Sequence, residues 1–157
     1  GAVFPAEHYT TFLASRLEQL RPWLVKRINA RVTYHDNCCV GRRCRCFDAP
    51  RKLLTAIPGI ELVEMERNRE HALCCGGGGG GMWLDAFITQ HGGRRLSDVR
   101  VQHALKTGAE ILAVSCPFEL SRFEDAVKVA GAEDRLKVRD ILELLAESMG
   151  LSEGGGP

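Results

Sequence analysis

"EILAVSCPFELSRFEDAVKVAG", residues 110 to 131, decides the fold. Its first six residues are a short apolar run bounded by turn signals, as a buried strand should be. Cys116 follows the run at once. Pro117 then stands at a helix entrance, where its missing N–H costs nothing. Gly131 sits where such a helix must stop. The stretch therefore reads strand, cysteine, helix, and the strand–helix alternation recurs on either side, with a cysteine loop on the upstream side only.

Upstream, "RVTYH" (31–35) is β-prone. "APRKLLTAI" (49–57) follows as a helix, with Asp48 placed to cap it and Pro50 in its first turn. "PG" at 58–59 ends it, and "IELVEM" (60–65) reads as a strand. "MWLDAFITQ" is a weak helix ended by "HGG", and "LSDVRVQHALKTG" a strong one with Gly108 at its C-terminal end. Downstream, "RLKVRD" and "ILELLAESM" give a fourth strand and a closing helix. At the start, "HYTTFLASRLEQL" puts Tyr9, Phe12, Leu13, Leu17 and Leu20 on one helical stripe, which Pro22 breaks. Alternation of this kind predicts an α/β fold, a short parallel sheet covered by helices. One domain is expected over 1–150 and a disordered tail over 151–157.

Open α/β sheets build their sites outside the carboxyl ends of the strands. The cysteine-bearing loops lie there. Cys38 comes three residues after the 31–35 run, Cys74 nine residues after the 60–65 run, and Cys116 directly after 110–115. Three loops thus deliver thiols to one rim.

Composition narrows the chemistry. A net charge of +1 over 157 residues suggests neither a nucleic-acid partner nor an anionic membrane surface. No apolar run approaches the roughly 20 residues of a membrane span. The opening "GAVFPAEHYT" lacks the basic and apolar regions of a secretory signal, so a cytoplasmic location is expected unless a longer precursor was trimmed. Seven cysteines, an odd number without an export signal, argue against a disulfide framework. In a reducing compartment such a cluster points to metal or redox chemistry, against the plainer reading of buried apolar filler.

"CCGGGGGG", residues 74 to 81, sharpens this. A glycine run formally contains a dinucleotide-loop pattern, but the tight strand-to-helix turn that gives that pattern meaning is missing. No Gly-Lys-Ser/Thr follows, so a P-loop is excluded. Glycines beside cysteines suit a bulky inorganic cluster: they let the backbone approach, take positive φ, and turn N–H groups toward sulfur.

"VTYHDNCCVGRRCRCFDAPRKLLTAIPGIELVEMERNREHALCCGGGGGGMW" (32–83) and "GAEILAVSCPFE" (108–119) together resemble the cysteine-rich CCG domain. That domain occurs in heterodisulfide reductase catalytic subunits and related iron–sulfur oxidoreductase subunits. The resemblance covers about residues 8 to 148. It implies a [4Fe–4S]-type cluster, in heterodisulfide reductases a non-cubane one, held by Cys38, Cys74, Cys75 and Cys116. It implies electron transfer within an oxidoreductase complex, with the disulfide-reducing site itself as a variant. Ferredoxin-type, flavin or membrane-quinone subunits would be the partners, at the cytoplasmic face where the complex is membrane-bound.

Two departures stand out. The family's fifth cysteine falls at Glu119, and Asn37 stands where the family usually has proline. A carboxylate is a harder ligand than a thiolate, so Glu119 is either a weak metal ligand or a solvated helix residue. Adjacent Cys39 is a candidate substitute ligand. Four thiolates would also suit tetrahedral zinc, which leaves a degenerate structural or docking module as the alternative. Cys44 and Cys46 lie among Arg42, Arg43 and Arg45, which would make surface thiols reactive, and a C-x-C pair can also join a zinc site. His35 and Asp36 are either general acid–base groups or supports for the loop, the latter favoured. His71 is a further candidate ligand. "EMERNRE" reads as a solvated face or a docking edge.

Overall fold

A computed structural model describes residues 6–151; the tail expected over 151–157 lies, apart from Leu151, outside the described residues. The strands are β1 (Ala30–Tyr34), β2 (Ile60–Leu62), β3 (Ile111–Val114) and β4 (Lys137–Asp140). They form one sheet in the order β2-β1-β3-β4, and every pairing is parallel. The helices are α1 (Tyr9–Ala14), α2 (Leu17–Leu20), α3 (Asp48–Ala56), α4 (Asp85–Gln90), α5 (Leu96–Lys106), α6 (Pro117–Val129) and α7 (Ile141–Ser148). The expected α/β architecture is present.

Strand periodicity divides the interior in two. Ile111 and Ala113 of β3 enter one apolar cluster with Leu53 and Leu54 of α3 and Ile141, Leu144 and Leu145 of α7. Leu112 and Val114 enter the other with Val101 and Ala104 of α5 and Phe123, Ala126 and Val127 of α6. Helices therefore cover both faces. The chain leaves β1 through α3 toward one sheet edge, and leaves β3 through α6 on the opposite face toward the other. The strand order reverses between β1 and β3, so the loops after these neighbouring strands diverge. That divergence opens a crevice at the carboxyl edge.

Three local expectations change. The helix expected from His8 to Leu20 is interrupted at Ser15 and Arg16. Ser15 Oγ donates to the Phe12 carbonyl at 2.7 Å and Arg16 Nη1 donates to the same oxygen at 3.2 Å, drawing it out of the helical ladder. Asp48 does not cap α3. Phe47 holds that position without a side-chain bond, and Asp48 is the first helical residue, its carboxylate 2.7 Å from Arg69 Nη1. β2 is shorter than expected. It pairs only with β1, and its ladder ends where Val63 N–H donates to the Val32 carbonyl at 2.8 Å.

The first cysteine loop folds into a single π-helical turn, Cys38–Arg43. Asn37 caps it: Oδ1 accepts from the backbone N–H groups of Cys39 (2.8 Å) and Val40 (3.1 Å).

Candidate functional site

The crevice is floored by buried polar groups. Asp36 and Asn37 follow β1 and are buried, as is His35 between them and the strand. Arg51 on α3 grips Asp36 with two bonds, Nη1 at 2.7 Å and Nη2 at 3.0 Å, and holds Glu64 as well. The second Asp36 oxygen also accepts the backbone N–H of Arg69 at 2.7 Å, and Arg69 carries a positive φ of 54°. One carboxylate thus ties the first cysteine loop to the chain that leads to the second. Arg42 adds another tie, donating to the Ala72 carbonyl at 2.8 Å. The "EMERNRE" segment is accordingly not a simple solvated face: Glu64, the Arg67 carbonyl and Arg69 all hold the crevice together.

Thiols from separate loops meet above this floor. The exposed Cys38 feels Cys39, Glu119 and Cys74; the buried Cys75 feels Glu119, Cys74 and Cys38. Burial first, then these anionic neighbours, raise the Cys38 thiol and push Cys75 up to about 11. The Cys-Cys-Gly turn opposes this. Gly76 N–H donates to Cys74 Sγ at 3.3 Å, and Gly77 N–H to Cys75 Sγ at 3.4 Å. Gly76 has φ of +77°, a conformation that favours glycine. Cys116 enters from the end of β3 as the cap residue of α6, and its side chain makes no capping bond. The Glu119 N–H donates to its carbonyl at 3.0 Å.

Glu119 is 1% exposed, so it is not a solvated helix residue. Asn37 Nδ2 donates to its Oε1 at 2.9 Å, and the Ser115 N–H to its Oε2 at 3.4 Å. Burial outweighs both bonds and pushes its carboxyl up to about 8. One His35 ring nitrogen, the Cys75 sulfur and a Glu119 oxygen lie within 4.8 Å of one another. Arg122 of α6 supplies a cation beneath the turn. It pairs with Asp85, its Nη2 2.6 Å from Oδ1, and its charge reaches Cys75.

The remaining candidates separate. Cys39 stays beside Cys38 and is exposed. Cys46 Sγ lies 3.7 Å from Thr11 Oγ1 on α1, turned toward that helix, and Cys44 is exposed. His71 is exposed on the one-turn 3-10 helix Arg69–His71. A surface hollow of about 680 Å³ beside Lys26, Arg139 and Leu142 has no thiol in its lining. Sequence reasoning missed the Asn37–Glu119 bond, Arg100 behind His35, and Arg122. The cysteines carried a local signal, in the glycines beside Cys75 and in the strands before Cys38 and Cys116; Arg100, Arg122 and the Asn37–Glu119 bond depend on tertiary contacts alone.

The donor set fits a multi-iron group. Neighbouring thiols disfavour ionisation of Cys38 and Cys75, and a bound cationic centre removes that penalty. Backbone N–H groups already turn toward two of the sulfurs, the kind of bond that tunes a cluster's thiolates.

Similar proteins agree. The chain is 40% identical over 144 residues to a probable iron–sulfur-binding oxidoreductase of Bacillus subtilis, covering 90% of this chain and 20% of that protein. It is 41% identical over 152 residues to one subunit of the dihydromethanophenazine:CoB–CoM heterodisulfide reductase of Methanosarcina barkeri, covering 95% and 35%. It is 36% identical over 152 residues to an EtfAB:quinone oxidoreductase of Syntrophomonas wolfei, covering 95% and 21%. The chain therefore spans about a fifth to a third of the length of these relatives. The cysteine-rich domain family CCG matches residues 32–119, more than half of the chain, from β1 through Cys74-Cys75-Gly76 to Glu119. The chain belongs to the CCG cysteine-rich domain family.

Proposed function

We propose that this chain is an iron–sulfur cluster-binding, electron-transfer domain of a heterodisulfide reductase-like oxidoreductase. The observation that carries the reading is the grouping of Cys38, Cys74 and Cys75 at one sheet edge, with Gly76 and Gly77 N–H groups on two of the sulfurs. Relatives named as an iron–sulfur-binding oxidoreductase and a heterodisulfide reductase subunit support it. None of the names supports zinc.

Cys38, Cys74, Cys75 and Cys116 would hold the cluster, of [4Fe–4S] type and non-cubane in form, with Glu119 and Cys39 as the candidates for a further ligand. The cluster, when bound, accepts and releases single electrons. The chain's own part is electrostatic and steric. N–H donors of the Cys-Cys-Gly turn and the Arg122 cation favour the more negative, reduced state. Burial of Cys75 keeps water from one side, while exposed Cys38 and Cys39 leave the other open to a partner or a disulfide substrate. Ferredoxin-type, flavin or quinone-linked modules, in the same polypeptide or in trans, would exchange the electrons. No helix among the described residues is long and apolar enough to cross a membrane, so a membrane complex would be reached through such modules.

Metal and sulfide analysis of protein purified without oxygen, with visible and EPR spectra, tests the reading. About four irons with acid-labile sulfide per chain are expected. One zinc, no sulfide and no EPR signal would overturn it.

A further inference from the structure

Arg100 is a large fully buried side chain, with no exposed surface, and it makes no ion pair with a carboxylate among the described residues. An arginine so placed is costly unless its hydrogen bonds serve a purpose. Its Nη1 donates to the Arg67 carbonyl at 2.7 Å and lies 3.5 Å from His103 Nδ1. Its Nη2 has no hydrogen-bond partner among the described residues. Its Nε donates to His35 Nδ1 at 3.2 Å.

That last bond has a chemical consequence. A guanidinium only donates, so the Nδ1 it meets must be a bare acceptor. A neutral imidazole then carries its proton on Nε2. Burial first, then the Arg100 and Arg42 charges, hold His35 neutral. Its Nε2 faces Glu119 Oε1 at 3.6 Å, and the ring lies edge-on to Phe123 at a centroid distance of 4.7 Å. The His35 backbone N–H is bonded to the Ala113 carbonyl at 3.0 Å, so the residue is anchored at both ends.

The proximity of His35, Cys75 and Glu119 superficially describes a three-ligand metal site. Arg100 argues otherwise, because a nitrogen bearing a proton has no lone pair for iron. We propose that Arg100 is a positioning residue which commits His35 to the Nε2–H tautomer, so that His35 turns a proton, and not a lone pair for metal, toward Glu119 and Cys75. This rests on the iron–sulfur reading above. A donor directed at the ligands favours the reduced cluster, so the Arg100–His35 pair raises the reduction potential.

The test has readouts on metal-free and on loaded protein. Long-range proton–nitrogen correlation on metal-free, 15N-histidine-labelled protein reads the tautomer directly. His35 is expected to show a bare Nδ1 and a protonated Nε2, and Arg100→Met is expected to lose that preference. In loaded protein, pulsed EPR is expected to find no histidine nitrogen bound to the cluster. The midpoint potential of Arg100→Met is expected to fall, with iron content unchanged. A protonated Nδ1, a histidine nitrogen bound to iron, or an unchanged potential in Arg100→Met would overturn the proposal. The two wild-type readouts decide it even where the variant does not fold. Absence of iron and sulfide overturns the cluster reading, whereas the wrong tautomer in metal-free protein overturns this inference alone.

Discussion

At the scale of single residues, two departures from the family pattern prove to be one. Asn37 and Glu119 are 82 positions apart in sequence yet bonded at 2.9 Å, with both side chains buried. Asn37 also caps the Cys38 turn, so the carboxylate and the first thiol loop are mechanically joined. Removing Asn37 leaves a buried carboxylate oxygen and two backbone N–H groups without their partner. Asn37→Ala is expected to cost about 1–3 kcal/mol in denaturant unfolding. In a Glu119→Cys background the cost should shrink, because one of the orphaned groups is gone; additive losses in the double-mutant cycle would sever the link.

Glu119 also makes a pH prediction for the metal-free protein. Its carboxyl is raised from 4.5 to about 8 in the folded state, chiefly by burial. Between those values the folded chain holds a proton that the unfolded chain has released. Stability from this group is therefore full below about pH 4.5 and is lost as pH rises toward about 8. Glu119→Gln should flatten that slope in unfolding curves measured across the range. A wild-type slope retained in the variant would assign it to another group.

At the scale of elements, the six glycines are not equivalent. A Cβ on Gly81 would stand 2.5 Å from the Gly76 carbonyl oxygen, a backbone atom that cannot swing aside. A Cβ on Gly78 would meet nothing within 4 Å. Gly81→Ala is expected to open the turn and impair cluster loading, while Gly78→Ala loads like wild type. Equal iron content in both would show that the run acts only as a spacer. The charged clasp around α3 makes a companion prediction. Asp36 takes two bonds from Arg51 and one from the strained Arg69, and Asp36→Ala leaves Arg51, 6% exposed, short of a counter-charge. The loss is expected to reach about 3–5 kcal/mol, read from denaturant midpoints. A loss below about 1 kcal/mol would place the pair among weakly contributing surface bridges.

At the scale of the whole molecule, the two faces of the sheet carry different duties. Phe123 and Leu144 are both fully buried, one in each cluster. Either truncation to alanine should cost about 2–5 kcal/mol. Phe123 packs against the His35 ring, so Phe123→Ala should also disturb the site. Leu144→Ala should leave the spectrum of the loaded, folded protein unchanged. Identical spectra for the two variants would remove Phe123 from the site's support.

Strand positions and most helix boundaries were legible from residues alone, because apolar period, proline and glycine act locally. The break in the first helix and the loss of the Asp48 cap were not, since Ser15, Arg16 and Arg69 draw a carbonyl and a carboxylate aside through side-chain bonds that no periodicity reports. The sequence by itself determined the parallel α/β layering, for strands alternating with helices admit little else. Only the tertiary structure decided that Glu119 is buried and held by Asn37, that Cys46 turns toward α1, and that Arg100 faces His35. Those outcomes depend on contacts between residues up to 82 positions apart, which no local pattern reports.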